Sequence, residues 1–185
     1  MSRMKKKLDF VIKEDDNSRL IFRFYPRQSS CHSFNDKPPQ SWSNVYKVYY
    51  AYSVIKQWRF NPDEECESVI LFEEPCDECS IIGEIGQRCL LLADGTEVFK
   101  REDGREIDLL DQRIYPCGMG TEWTISKREW TDFEDEDIIH TYYTFTLFDW
   151  SDVGFRFRLD KEQMKDFGQY LLDCCEYMLE HGVPI

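Results

Sequence analysis

Hydrophobic and polar positions alternate most regularly near the carboxyl-terminal end of the chain. Val153, Phe155, Phe157 and Leu159 alternate there with Gly154, Arg156 and Arg158. A period of two, with one apolar face and one basic or open face, is the pattern of a half-buried antiparallel strand. Upstream, Thr141, Tyr143, Phe145 and Leu147 share one face, with His140, Tyr142, Thr144 and Thr146 on the other. Asp149-Trp150-Ser151-Asp152 between the two strands supplies turn-forming side chains. The period then changes. Met164, Phe167, Leu171, Cys174 and Met178 recur at steps of three and four, and Leu172, Cys175 and Leu179 widen that stripe. Such spacing predicts an amphipathic helix. Asp160 can cap it, Gln163 three residues on approximates a capping box, and Gly182 and Pro184 end it. Residues 142–180 therefore predict a hairpin followed by a helix, a compact core-building unit.

The remainder reads mainly as strands. Leu8–Lys13 and Arg19–Tyr25 predict a hairpin around the polar turn Glu14–Ser18, with Leu20, Phe22 and Phe24 facing the core. Residues 28–44 form a long polar loop around Pro38-Pro39. Val45–Phe60, dense in Tyr, Val and Trp, predicts one long strand or two bent ones, and Glu67–Phe72 a short one. Cys89–Leu92, Glu97–Lys100 and Glu106–Leu110 read as a meander, with Asp94-Gly95 and Asp103-Gly104 as its hairpin turns. Thr121–Trp130 adds a strand and Asp132–Asp137 a sharply acidic turn. The tripeptide Phe22-Arg23-Phe24 recurs as Phe155-Arg156-Phe157, but three residues are a chance-level match. The expected fold is α+β: a mainly antiparallel, curved sheet or open barrel of hairpins, with one carboxyl-terminal helix packed on it. One domain over residues 1–185 is expected at this length.

Composition adds a bias in charge. Thirty-six acidic against 23 basic residues give a formal charge of −13. Nucleic-acid phosphates and anionic membranes would repel such a chain unless a local basic patch overrides the sum. A basic protein surface is the favoured partner, and no direct nucleic-acid or membrane contact is expected. The lysine-rich start, Lys5-Lys6-Lys7, is not followed by the apolar run of a signal peptide. Eight cysteines without framework spacing suggest reduced thiols and a cytoplasmic location.

Candidate chemistry is sparse. Cys76-Asp77-Glu78-Cys79 has the spacing of a zinc knuckle, with Cys89 as the nearest further ligand and Cys66, Cys117 or Cys31-His32 as candidates for the fourth. No second Cys-x-x-Cys accompanies it, no glycine relaxes the loop, and nothing helical follows to make a thioredoxin-like site. An ordinary turn, with no cofactor, is the simpler reading, and a small zinc module the alternative. The three histidines, His32, His140 and His181, share no metal or triad spacing. Gly83-Glu84-Ile85-Gly86 and Cys117-Gly118-Met119-Gly120 lack the lysine of a phosphate loop and read as turns. A nonstandard enzyme site would be sought around Cys31, His32 and His140.

The leading expectation is a non-enzymatic binding protein of the inhibitor, immunity or anti-defence type. Its contact residues would be the acids Asp132, Glu134, Asp135, Glu136 and Asp137, together with an exposed tyrosine stripe, Tyr46, Tyr50 and Tyr52. A homodimer formed through a sheet edge or aromatic face is compatible with the same features.

Overall fold

A computed structural model describes residues 8–29, 47–76, 79–117, 121–148 and 154–181. Four strands come first: β1 (Leu8–Lys13), β2 (Ser18–Ser29), β3 (Lys47–Trp58) and β4 (Glu67–Cys76), joined in that order as an antiparallel sheet. Helix α1 (Cys79–Ala93) follows. A small hairpin, β5 (Val98–Lys100) and β6 (Glu106–Asp108), leads to a second four-stranded antiparallel sheet. That sheet comprises β7 (Ile114–Cys117), β8 (Thr121–Thr131), β9 (Ile139–Phe148) and β10 (Gly154–Asp160), and α2 (Lys161–His181) closes the chain. The class is α+β, and neither four-stranded sheet closes into a barrel. Among the described residues no helix is long and apolar enough to cross a membrane.

The chain thus runs twice through four strands and a helix. The repeated Phe-Arg-Phe tripeptides do not mark this pattern, because the first lies in β2, an inner strand, and the second in β10, an edge strand.

Helix α1 overturns the strand expected at Cys89–Leu92 and the turn expected at Gly83–Gly86. Ile82, Ile85, Cys89 and Leu92 are buried at helical spacing. Its two glycines are poor helix formers, and the packing explains them. A Cβ on Gly86 would lie 2.8 Å from the Gly168 carbonyl oxygen, and one on Gly168 2.8 Å from that of Gly86. Glycine at both positions lets α1 and α2 cross backbone to backbone. Asp94-Gly95 is likewise the end of α1 rather than a hairpin turn. The Thr96 amide reaches the Leu91 carbonyl at 2.8 Å with Gly95 at φ +89°, which is a Schellman cap. Asp103-Gly104 does form a hairpin turn, with Gly104 at φ +83°.

The start of α2 forms as its sequence implies. The Asp160 amide donates to Gln163 Oε1 at 3.0 Å, and the Gln163 amide donates to Asp160 Oδ1 at 2.8 Å. One core runs between the sheets and the helices. Phe167 of α2 packs on Phe10 and Phe22 of the first sheet and on Phe145 and Phe157 of the second, at centroid distances of 5.1–5.7 Å. Trp123 of β8 donates its Nε1–H to the Tyr52 hydroxyl of β3 at 2.8 Å, tying the two sheets inside the core. Tyr143 donates its hydroxyl to the Leu92 carbonyl at 2.8 Å, and Tyr170 donates to the Phe22 carbonyl at 3.2 Å. Both hydroxyls are thus satisfied by backbone carbonyls.

Candidate functional site

The β8–β9 hairpin projects beyond the core and carries the acidic cluster at its tip. Its turn is built by the carboxylates themselves. Asp132 Oδ1 accepts from the Glu134 amide at 2.8 Å, and Asp135 Oδ1 from the Asp137 amide at 3.1 Å. The backbone closes the loop, with the Asp132 amide on the Ile138 carbonyl at 2.9 Å and the Ile138 amide on the Asp135 carbonyl at 3.0 Å. These are side-chain turns of the kind short acids favour. Asp132 also meets His140 Nε2 at 3.0 Å through its other oxygen, and the His140 ring stacks on Trp130 at 4.1 Å. The Glu134 amide first, and His140 second, hold the Asp132 carboxyl below the usual carboxylate range.

The acids therefore divide by role. Asp132 and Asp135 hold the turn together. Glu134, Glu136 and Asp137 point outward, with no ion pair among the described residues. Between them Phe133 is 99% exposed, and Trp130, Ile138 and Ile139 are exposed alongside. A fully exposed phenyl ring held on an ordered turn among carboxylates has no use in the core and is shaped for contact. Phe133 was not singled out from the sequence; its position inside an acidic run, without an apolar periodicity to bury it, is the signal that marks it.

The tyrosine stripe does not assemble. Tyr52 is 0% exposed and stacks between Phe22 and Phe72 in the core, so it is no surface residue. Strand alternation turns its side inward together with Val54. Tyr50 belongs to β3, but its side chain, like the whole of Tyr46, lies outside the described residues.

Cys76 ends β4 and Cys79 opens α1, contrary to the expectation that nothing helical follows them. The intervening pair and both cysteine side chains lie outside the described residues, as do Cys31 and His32. Cys89 sits in the core against α2, where burial raises its thiol pKa, and Cys66 is exposed. No group of three or more metal-ligating side chains comes together among the described residues. His140 is engaged in the hairpin turn rather than aimed into a cleft.

No protein-family model matches the chain, and no curated protein does. Among solved structures it is similar over 97% of its length to a chain in crystal structures of Trypanosoma bruciei MRP1/MRP2, covering 90% of that chain at 11% identity and a TM-score of 0.43. A likeness that distant carries no functional statement.

Proposed function

We propose that the chain is a non-enzymatic binding protein of the cytoplasm that engages a basic surface on another protein through the β8–β9 hairpin tip. The observation that carries this reading is Phe133, wholly exposed on a turn that Asp132 and Asp135 hold closed. In such a contact the phenyl ring is the anchor, worth about 1–3 kcal/mol when buried. Glu134, Glu136 and Asp137 then speed encounter and select against acidic surfaces, because charge complementarity sets on-rate and specificity more than affinity. An inhibitor or immunity protein, which covers a basic cleft, would use such a tip.

The test separates anchor from steering. Phe133→Ser should weaken partner binding about tenfold or more through a faster off-rate. Glu134→Gln, Glu136→Gln and Asp137→Asn together should slow association at low salt and remove its salt dependence. Equal binding by wild type and both variants at low salt would remove the proposal. The turn-forming Asp132 and Asp135 are left intact, so a loss cannot be ascribed to an unfolded hairpin.

A further inference from the structure

The net charge of −13 conceals a basic groove on the outward face of the second sheet. Trp123, Ile125, Phe145, Leu147, Phe157 and Leu159 point to the core, so the alternate residues of β8, β9 and β10 face away from it. The strand register places Arg156, Thr146 and Thr124 in one row across the sheet, and Arg158, Thr144 and Ser126 in the next. Tyr142 pairs with Arg128 beyond them, and Phe148 stands at the opposite end of β9. Together they line a groove of about 650 Å³ in which, among the described residues, Asp111 is the one carboxylate of the lining.

Several arginines elsewhere are neutralised, Arg23 by Asp9 at 2.8 Å, Arg88 by Glu84 at 2.7 Å and Arg113 by Glu122 at 3.3 Å, whereas Arg19, Arg59 and Arg101 meet no carboxylate among the described residues but lie outside this groove. Among the described residues Arg128, Arg156 and Arg158 have no such partner. Arg158 lies over the Tyr142 ring, 5.0 Å from its centre, which leaves the guanidinium plane itself as a stacking surface.

We propose that this groove binds a short stretch of single-stranded nucleic acid. Guanidinium forks match phosphate oxygens, and a floor of hydroxyls suits sugar and phosphate contacts. Tyr142 and Phe148 are six residues apart on one strand, roughly 20 Å, a span that admits at most about six stacked nucleotides at 3.4 Å each. Rings and guanidinium planes at the ends are stacking platforms for unpaired bases, which a duplex would keep hidden. An acidic peptide would use the arginines and leave the ring positions idle. The expectation that nucleic acid is excluded rested on total charge. The sheet supplies the local basic patch that overrides it, and this site is independent of the hairpin tip.

Three phosphate contacts predict a log affinity–log salt slope of about −2 for a single strand, or roughly a twentyfold loss between 50 and 200 mM salt. Fluorescence anisotropy with labelled ten-nucleotide oligo-U and oligo-dT would measure it. The expected result is binding at 50 mM salt, with each of Arg156→Gln and Arg158→Gln weakening it and flattening the slope by about 0.7. Both arginines are exposed on an edge strand, and a circular dichroism spectrum like that of wild type confirms their variants are folded. The Glu134→Gln, Glu136→Gln, Asp137→Asn variant should bind the oligonucleotide at least as well as wild type. No binding at 50 mM salt, binding indifferent to the arginine variants, or loss only in the hairpin-tip variant would overturn the proposal. Competition by polyglutamate as strong as by unlabelled oligonucleotide would overturn it in favour of an acidic peptide.

Discussion

Replacing Tyr52 by phenylalanine removes one oxygen atom and tests whether the two sheets share a core. The hydroxyl accepts the Trp123 Nε1–H at 2.8 Å, and both side chains are 0% exposed. Without it a buried indole N–H loses its acceptor and has no water to turn to. Leaving a buried donor unsatisfied costs about 1–3 kcal/mol. The ring itself is retained, so the cavity term is small compared with the roughly 3–5 kcal/mol of emptying an aromatic site. With a urea m-value of about 2 kcal/mol/M, the denaturation midpoint should fall by about 0.5–1.5 M. Trp123→Phe should also destabilise, and the double variant should lose less than the sum, because the two residues share one bond. Equilibrium unfolding followed by circular dichroism measures all three. A Tyr52→Phe change within about 0.5 kcal/mol of wild type is what an exposed tyrosine would give, and it would refute the shared core.

At the helix crossing, Gly168→Ala should destabilise, since its Cβ would meet the Gly86 carbonyl oxygen at 2.8 Å. The overpacking cost of about 1–3 kcal/mol outweighs the roughly 1 kcal/mol that alanine brings to a helix, and urea denaturation showing a stabilised variant would contradict the close approach. The hairpin turn should depend on pH with a definite sign. Asp132 has a lowered folded pKa, so its contribution is fully present above the usual carboxylate range and is lost as pH falls through the depressed value. Protection of the Glu134 amide in hydrogen exchange should fade over that acidic window, and protection unchanged on acidification would show that the Asp132 bond does not hold the turn.

The strands and helix of the carboxyl-terminal unit were legible because one residue type alternates there with another at a single period. Phe157 and Leu159 face the core while Arg156 and Arg158 face out, and Asp160 and Gln163 close the capping box. Helix α1 was not, although Ile82, Ile85, Cys89 and Leu92 carry its phase. Gly83 and Gly86 argue against a helix locally, and their justification is α2, more than 80 residues away in sequence and in contact only after folding. The acidic turn was legible as a charge run, but not the split between Asp132 and Asp135, which bond the loop, and the outward Glu134, Glu136 and Asp137. Tyr52 reads as a surface residue from sequence, because a strand of tyrosines does not say which side faces its partner sheet. The arginine groove needed register: Arg128 is 28 residues from Arg156 in sequence, and only the pairing through β9 brings their rows together.

The most direct measurement is affinity capture from the cells that make this protein, using four baits, wild type, Phe133→Ser, the Glu134→Gln, Glu136→Gln, Asp137→Asn variant and Arg156→Gln, with retained proteins identified by mass spectrometry. The account predicts a basic protein retained by wild type and depleted with both variants, while Arg156→Gln retains it. The same proteins retained by all four baits would contradict a hairpin tip that binds.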